Sequence, residues 1–86
     1  MSRPIAVIAA DVRKHWRKKD GSPNVNYAAE PYLAAMRELN SIEDDYYLDT
    51  AQSVVMYFLA NATAFRGEDA RRIKAELKAL LLTPAD

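Results

Sequence analysis

An all-α, compact four-helix domain is predicted, with helices at about 4–19, 30–39, 50–65 and 68–82, and three observations predict it. Apolar residues recur at three- and four-residue spacing in four separate stretches. Clusters of Gly, Pro, Asn, Asp and Ser fall between those stretches. No stretch makes a convincing strand, and no internal repeat is present. The 86 residues suit a single helical domain, 1–86. A chain of this size buries roughly 60–65% of its unfolded surface, so its stability is modest and a partner or second copy can add to it.

Helix one is expected to start at Pro4, whose missing N–H costs nothing in a first turn, with Ser2 available as a cap. Ile5, Ile8, Ala9, Val12 and Trp16 share one face, and Arg13, Lys14, Arg17 and Lys18 take the opposite side near the C-terminal end. Asp20-Gly21-Ser22-Pro23-Asn24 is the clearest loop. Helix two buries Tyr32, Ala35, Met36 and Leu39, and Asn40-Ser41 break it. Ser41 to Asp44 has the spacing of a capped single turn.

Helix three starts at Asp49 or Thr50, with Gln52 placed to reach back to the cap. Its stretch Ala51–Phe65 is the most apolar in the chain. Ala51, Val54, Val55, Phe58, Leu59 and Ala62 cover one side; Ser53, Tyr57, Ala60, Asn61 and Ala64 cover the other, without any charge. A helix so uniformly uncharged is expected in the middle of the fold. Arg66-Gly67 should end it. Glu68 and Asp69 open helix four, whose apolar stripe is Ala70, Ile73, Leu77, Leu80 and Leu81, and Thr83-Pro84 close it.

Composition excludes several classes. Without cysteine there is neither a disulfide nor a thiolate zinc site. The apolar run near the N-terminus is six residues and runs into Asp11, too short for a signal segment, and no stretch reaches the ~20 apolar residues of a membrane span. A cytoplasmic location is expected, and no cofactor. Net charge is zero, yet residues 1–26 carry +4, residues 27–52 carry −5 and residues 53–86 carry +1. Such a polarised surface suits docking with another charged surface.

Catalytic constellations are missing. His15 is the only histidine and no sequence pattern supplies the partner that would orient it as a base. Two glycines cannot build a phosphate loop, and no serine lies in a nucleophile elbow. Glu43, Asp44 and Asp45, with Asp49, form the densest carboxylate cluster, but the central Gly and terminal Glu of a calcium loop are absent. They read as solvated loop acids, or as a patch for a basic partner. Arg13 to Lys19 is the best candidate for nucleic acid, with Trp16 either stacking on a base or, as its face indicates, in the core. A sequence pI near 6.6 argues against a dedicated nucleic-acid binder. A helix-turn-helix around Phe65–Glu68 has helix count alone behind it. Ser53, Tyr57, Ala60 and Ala64 form a small-residue seam suited to a helix of this chain or of a second subunit. Asn61 and Arg66 are expected to satisfy polar groups near the end of helix three.

Two segments carry a resemblance: Tyr27-Ala28-Ala29-Glu30-Pro31-Tyr32-Leu33-Ala34-Ala35-Met36, and Tyr57 to Gly67 continuing through Ala70-Arg71-Arg72-Ile73-Lys74-Ala75-Glu76-Leu77. The pattern resembles a group of short, largely uncharacterised proteins from bacterial phage, prophage and plasmid contexts, in which Trp often stands where this chain has Phe65. It implies a mobile-element setting and brings no catalytic residue with it.

The function expected is therefore a small non-enzymatic binding protein acting by protein–protein contact as an inhibitor or regulator. Arg13, Arg17 and Lys18 would form one docking face and Glu43, Asp44 and Asp45 another, with Ser53, Tyr57, Asn61 and Arg66 as further contact residues. A homodimer is open. The alternative is a nucleic-acid-binding module that uses the basic face of helix one.

Overall fold

The computed structural model describes residues 3–46 and 49–82, with only the backbone at Tyr46; the expected cap Ser2 and the closing Thr83-Pro84 lie outside them. Among the described residues four helices form: α1 (Ile5–His15), α2 (Glu30–Met36), α3 (Ala51–Ala60) and α4 (Glu68–Leu82). The all-α four-helix architecture is thus present. Each helix packs on two neighbours, in the ring α1, α2, α3, α4 and back to α1. Contacts between neighbouring helices run in opposite sequence directions at three of these seams, which sets the fourth. Arg13 meets Glu30 while Ile5 meets Asn40; His15 meets Asp69 while Arg3 meets Glu76; Asn26 meets Asn61 while Tyr32 meets Tyr57. Neighbouring helices are therefore antiparallel, the up-down arrangement that short connections favour.

The core is one cluster to which every helix contributes, including Ile5, Ile8, Val12, Leu33, Met36, Val55, Phe58, Ile73 and Leu77. Trp16 joins it at 2% exposure, stacked on Phe65 with ring centroids 5.0 Å apart and edge-on to Phe58 at 6.4 Å. The ring arrangement leaves no helix in the middle. On α3, Met56 is 58% and Tyr57 55% exposed, so the uncharged outer side faces outward rather than into a second layer.

Helix ends differ from expectation for local reasons. Helix one stops at His15, not Lys19, because Trp16 leaves helical geometry with ψ at 78°. The chain then folds back: Lys18 N–H donates to Ser22 O, Asn24 N–H to Trp16 O, and Gly21 sits at a φ of 88° that side-chain-bearing residues avoid. Helix two ends at Met36, and the next residues tighten into three-residue turns, Glu38 N–H to Ala35 O and Leu39 N–H to Met36 O. That turn has a use. The carbonyls of Leu39 and Asn40 accept from Ala6 and Ile5 N–H, donors at the start of α1 that no side chain caps.

Helix three ends at Ala60, five residues early. Asn61 folds its side chain back, Nδ2 donating to Tyr57 O at 2.8 Å. Gly67 therefore does not terminate α3; at φ 112° it turns the chain into α4 instead. At the other end Thr50 is the cap, but its Oγ1 accepts from Ser53 N–H, and Gln52 is exposed with no part in the cap. A two-residue antiparallel ladder, β1 (Asp45–Tyr46) with β2 (Asp49–Thr50), leads into α3; the sequence carries no alternation that would announce it.

Candidate binding surface

Nearly all of the described charge chemistry sits on α1 and on what packs against it. Towards α4 runs a continuous network. Arg3 donates from Nη2 to Glu76 Oε1 at 2.6 Å and from Nε to Oε2 at 2.9 Å, and reaches Asp11 Oδ2 at 3.0 Å. Arg72 donates to the same Asp11 oxygen at 3.1 Å and to Asp69 at 3.4 Å. His15 closes the chain of contacts, Nε2 lying 3.1 Å from Asp11 Oδ1 and Nδ1 3.3 Å from Asp69 Oδ2.

Titration follows these contacts. The Arg3 bonds hold the Glu76 carboxyl below its ordinary range against a smaller opposing effect of burial. Burial pushes the Asp11 carboxyl up, but the bonds from Arg72 and Arg3 outweigh it and leave it lowered. Hydrogen bonds to Glu76 and then Asp11 raise the Arg3 guanidinium further.

The orienting partners that sequence reasoning did not find for His15 thus exist: Asp11, one helical turn back, and Asp69, supplied by α4. The first was available as an i,i+4 pair; the second depends on the packing. With a carboxylate against each ring nitrogen, the imidazole serves as a bridge between α1 and α4. It lines neither the groove described next nor the clefts around Ile5 and Asp44.

Towards α2, a groove is lined by Ala6, Ala10, Arg13, Lys14, Arg17 and Arg37. Its floor is alanine and its rim cationic. Two of the cations are held: Arg13 spans both Glu30 oxygens at 2.6 and 3.4 Å, and Arg17 donates to Gly21 O at 2.8 Å. The side chains of Lys14 and Arg37 make no hydrogen bond or ion pair among the described residues. Arg37 was not singled out by sequence, because it lies in an acidic stretch and only the antiparallel packing of α1 and α2 brings it here. Lys18 is exposed in the turn beyond α1 and is not part of the groove lining. Trp16 cannot stack on a base at this surface, being buried against Phe65.

The acidic residues do not act as one cluster. Asp44 turns inward and accepts from Asn40 and Ser41 N–H at 2.9 and 3.0 Å, bonds that lower its carboxyl pKa, while Ser41 Oγ accepts from Glu43 N–H. That is the capped turn the spacing predicts. Glu43 and Asp45 stay exposed beside a shallow cleft that also includes Ile42, Thr50 and Gln52. No group of three or more His, Asp or Glu among the described residues is placed to hold a metal ion.

The small-residue seam is not continuous. Ser53 serves the Thr50 cap, Ala64 lies beyond the end of α3, and Tyr57 stacks on Tyr32 with centroids 5.5 Å apart. Asn61 spends its amide on the helix end, and Arg66 donates to Thr63 O at 3.4 Å, a turn beyond α3. Tyr27, Met56 and Tyr57 are each exposed, at 93%, 58% and 55%. Among the described residues, no helix is long and apolar enough to cross a membrane.

No known protein family matches the chain, and neither does any curated protein or solved structure.

Proposed function

We propose that the chain is a non-enzymatic binding protein that works by protein–protein contact, as an inhibitor or regulator, with the α1–α2 groove as its docking surface. The observation that carries this is the pair Lys14 and Arg37: two cations with no partner among the described residues, converging on an alanine-floored groove. An acidic protein segment would neutralise them while apolar atoms cover Ala6 and Ala10. The mobile-element setting rests on the resemblance of the two sequence segments alone, and a cytoplasmic location on the lack of cysteine and of a signal-like or membrane-length apolar run in the sequence.

A nucleic acid is the second reading, favoured by the same cations. It would have to bind through phosphates only, since the aromatic residue of this segment is buried, and the domain as a whole carries no net charge.

The test is a quantitative pull-down from lysate with and without nuclease treatment, using wild-type bait and the Lys14→Glu/Arg37→Glu variant. A partner held by the wild type and lost from the variant is the expected outcome. Capture that disappears on nuclease treatment would favour the nucleic-acid reading, and no difference between the two baits would remove the groove from the function.

A further inference from the structure

The last turn of α1 presents Arg13, Lys14 and His15, three successive residues about 100° apart around the axis. Each of the first and third is met by a helix of this chain. Glu30, in the first turn of α2, takes Arg13; Asp69, in the first turn of α4, takes His15. Both helices run antiparallel to α1, so both bring an acidic first turn to its basic C-terminal end. The physical reason is shared: carboxylates stabilise the N-terminus of their own helix while cations stabilise the C-terminus of α1, and antiparallel packing puts the two together.

Lys14 lies between Arg13 and His15 and has no such counterpart among the described residues. Below it on the same stripe are Ala10, exposed, and Val7, 46% exposed, at i−4 and i−7. The stripe thus changes from small and apolar to cationic towards the end of α1, with Arg37 flanking the alanine floor from the end of α2. A phosphate backbone has nothing to gain from the Val7–Ala10 half. A peptide helix does, because short side chains let helix axes approach closely.

We propose that this stripe receives a third antiparallel helix, contributed by a partner protein: an amphipathic helix with Asp or Glu in its first turn facing Lys14 and Arg17, and small apolar residues against Ala10 and Val7. The inference rests on the groove being a protein-docking surface and adds the form and polarity of what docks. From Val7 to Lys14 the stripe is about 10 Å long at 1.5 Å per residue, so roughly two helical turns of the partner suffice.

The test uses the full chain and labelled model peptides of about twenty residues, above the length of about 12–15 residues below which even Ala-rich helices are marginal. One is an Ala-based helix with Glu in its first turn. A second has the same composition with Glu in its last turn, a third carries Glu first but a central Pro, and a short DNA duplex is the fourth probe. Anisotropy titrations at low salt are expected to give the first peptide about tenfold tighter binding than the second or third. Lys14→Glu is expected to abolish that preference, with its circular dichroism unchanged because Lys14 is exposed.

Equal binding of all three peptides would overturn the helical inference and leave an acidic protein partner standing. Tighter binding of the duplex than of any peptide would overturn both, as would no binding of any probe. A dimer of the protein itself, seen by light scattering and lost in Lys14→Glu, would put a second copy in the groove and overturn the assignment to a foreign partner.

Discussion

Arg3 and Glu76, 73 positions apart in the chain, face each other through two hydrogen bonds of 2.6 and 2.9 Å. The pair joins the segment before α1 to the middle of α4, and Asp11 and Arg72 extend it to His15 and Asp69. It has a pH signature. The folded-state pKa values of Glu76 and Asp11 are lowered, so their contribution is present above the ordinary carboxylate range near pH 4 and is lost as pH falls below it. Urea titrations at pH 7 and pH 3 should therefore show the protein weaker at pH 3. Glu76→Gln should remove part of that difference and cost at most about 1 kcal/mol at pH 7, since the pair is partly solvated. A Glu76→Gln protein with an undiminished acid loss would place the effect elsewhere.

Trp16 is the only tryptophan, and its surroundings make it a reporter. Its emission should be blue-shifted, resist iodide quenching and stay unchanged when the groove is filled, because the ring is 2% exposed and stacked on Phe65. Trp16→Ala should cost about 3–5 kcal/mol in chemical denaturation. Trp16→Phe should cost distinctly less, because the buried indole N–H has no hydrogen-bond partner and its removal relieves a desolvation penalty.

Gly67 isolates a backbone effect. Nothing lies within 4 Å of where a Cβ would stand, yet its φ is 112°. Gly67→Ala should lower stability by about 1–2 kcal/mol without a steric clash. A neutral Gly67→Ala melt would mean that the turn into α4 readily takes another shape.

Thr50→Ala removes the acceptor for Ser53 N–H at the start of α3 and should cost about 1 kcal/mol. Thr50→Ser and Thr50→Asp, which keep an acceptor, should recover most of it in the same thermal melts.

These sites also show where sequence reasoning succeeds. The limits of α4, Glu68–Leu82, are those its acidic first turn and apolar stripe predict, and the faces carrying Val12, Trp16 and Phe58 are buried as their spacing requires. Helix ends are harder because competing local bonds decide them: the Asn61 amide stops α3 and the Lys18–Ser22 turn stops α1 within otherwise helical patterns. The candidate site was half legible. Arg13 and Arg17 stand out in a basic run, whereas Arg37 enters the groove, and Asp69 reaches His15, only through packing. Charge polarity along the chain likewise overstated the acidic patch, since Asp44 is turned inward to its own turn.

The α1–α2 groove as docking surface is open to direct test. Amide-resolved NMR titration of the labelled protein with the acid-first helical peptide tests it most directly. Shift changes should map to Ala6, Ala10, Arg13, Lys14, Arg17 and Arg37 and vanish in Lys14→Glu/Arg37→Glu. Changes centred instead on Glu43 and Asp45, or on Tyr27 and Tyr57, would contradict it.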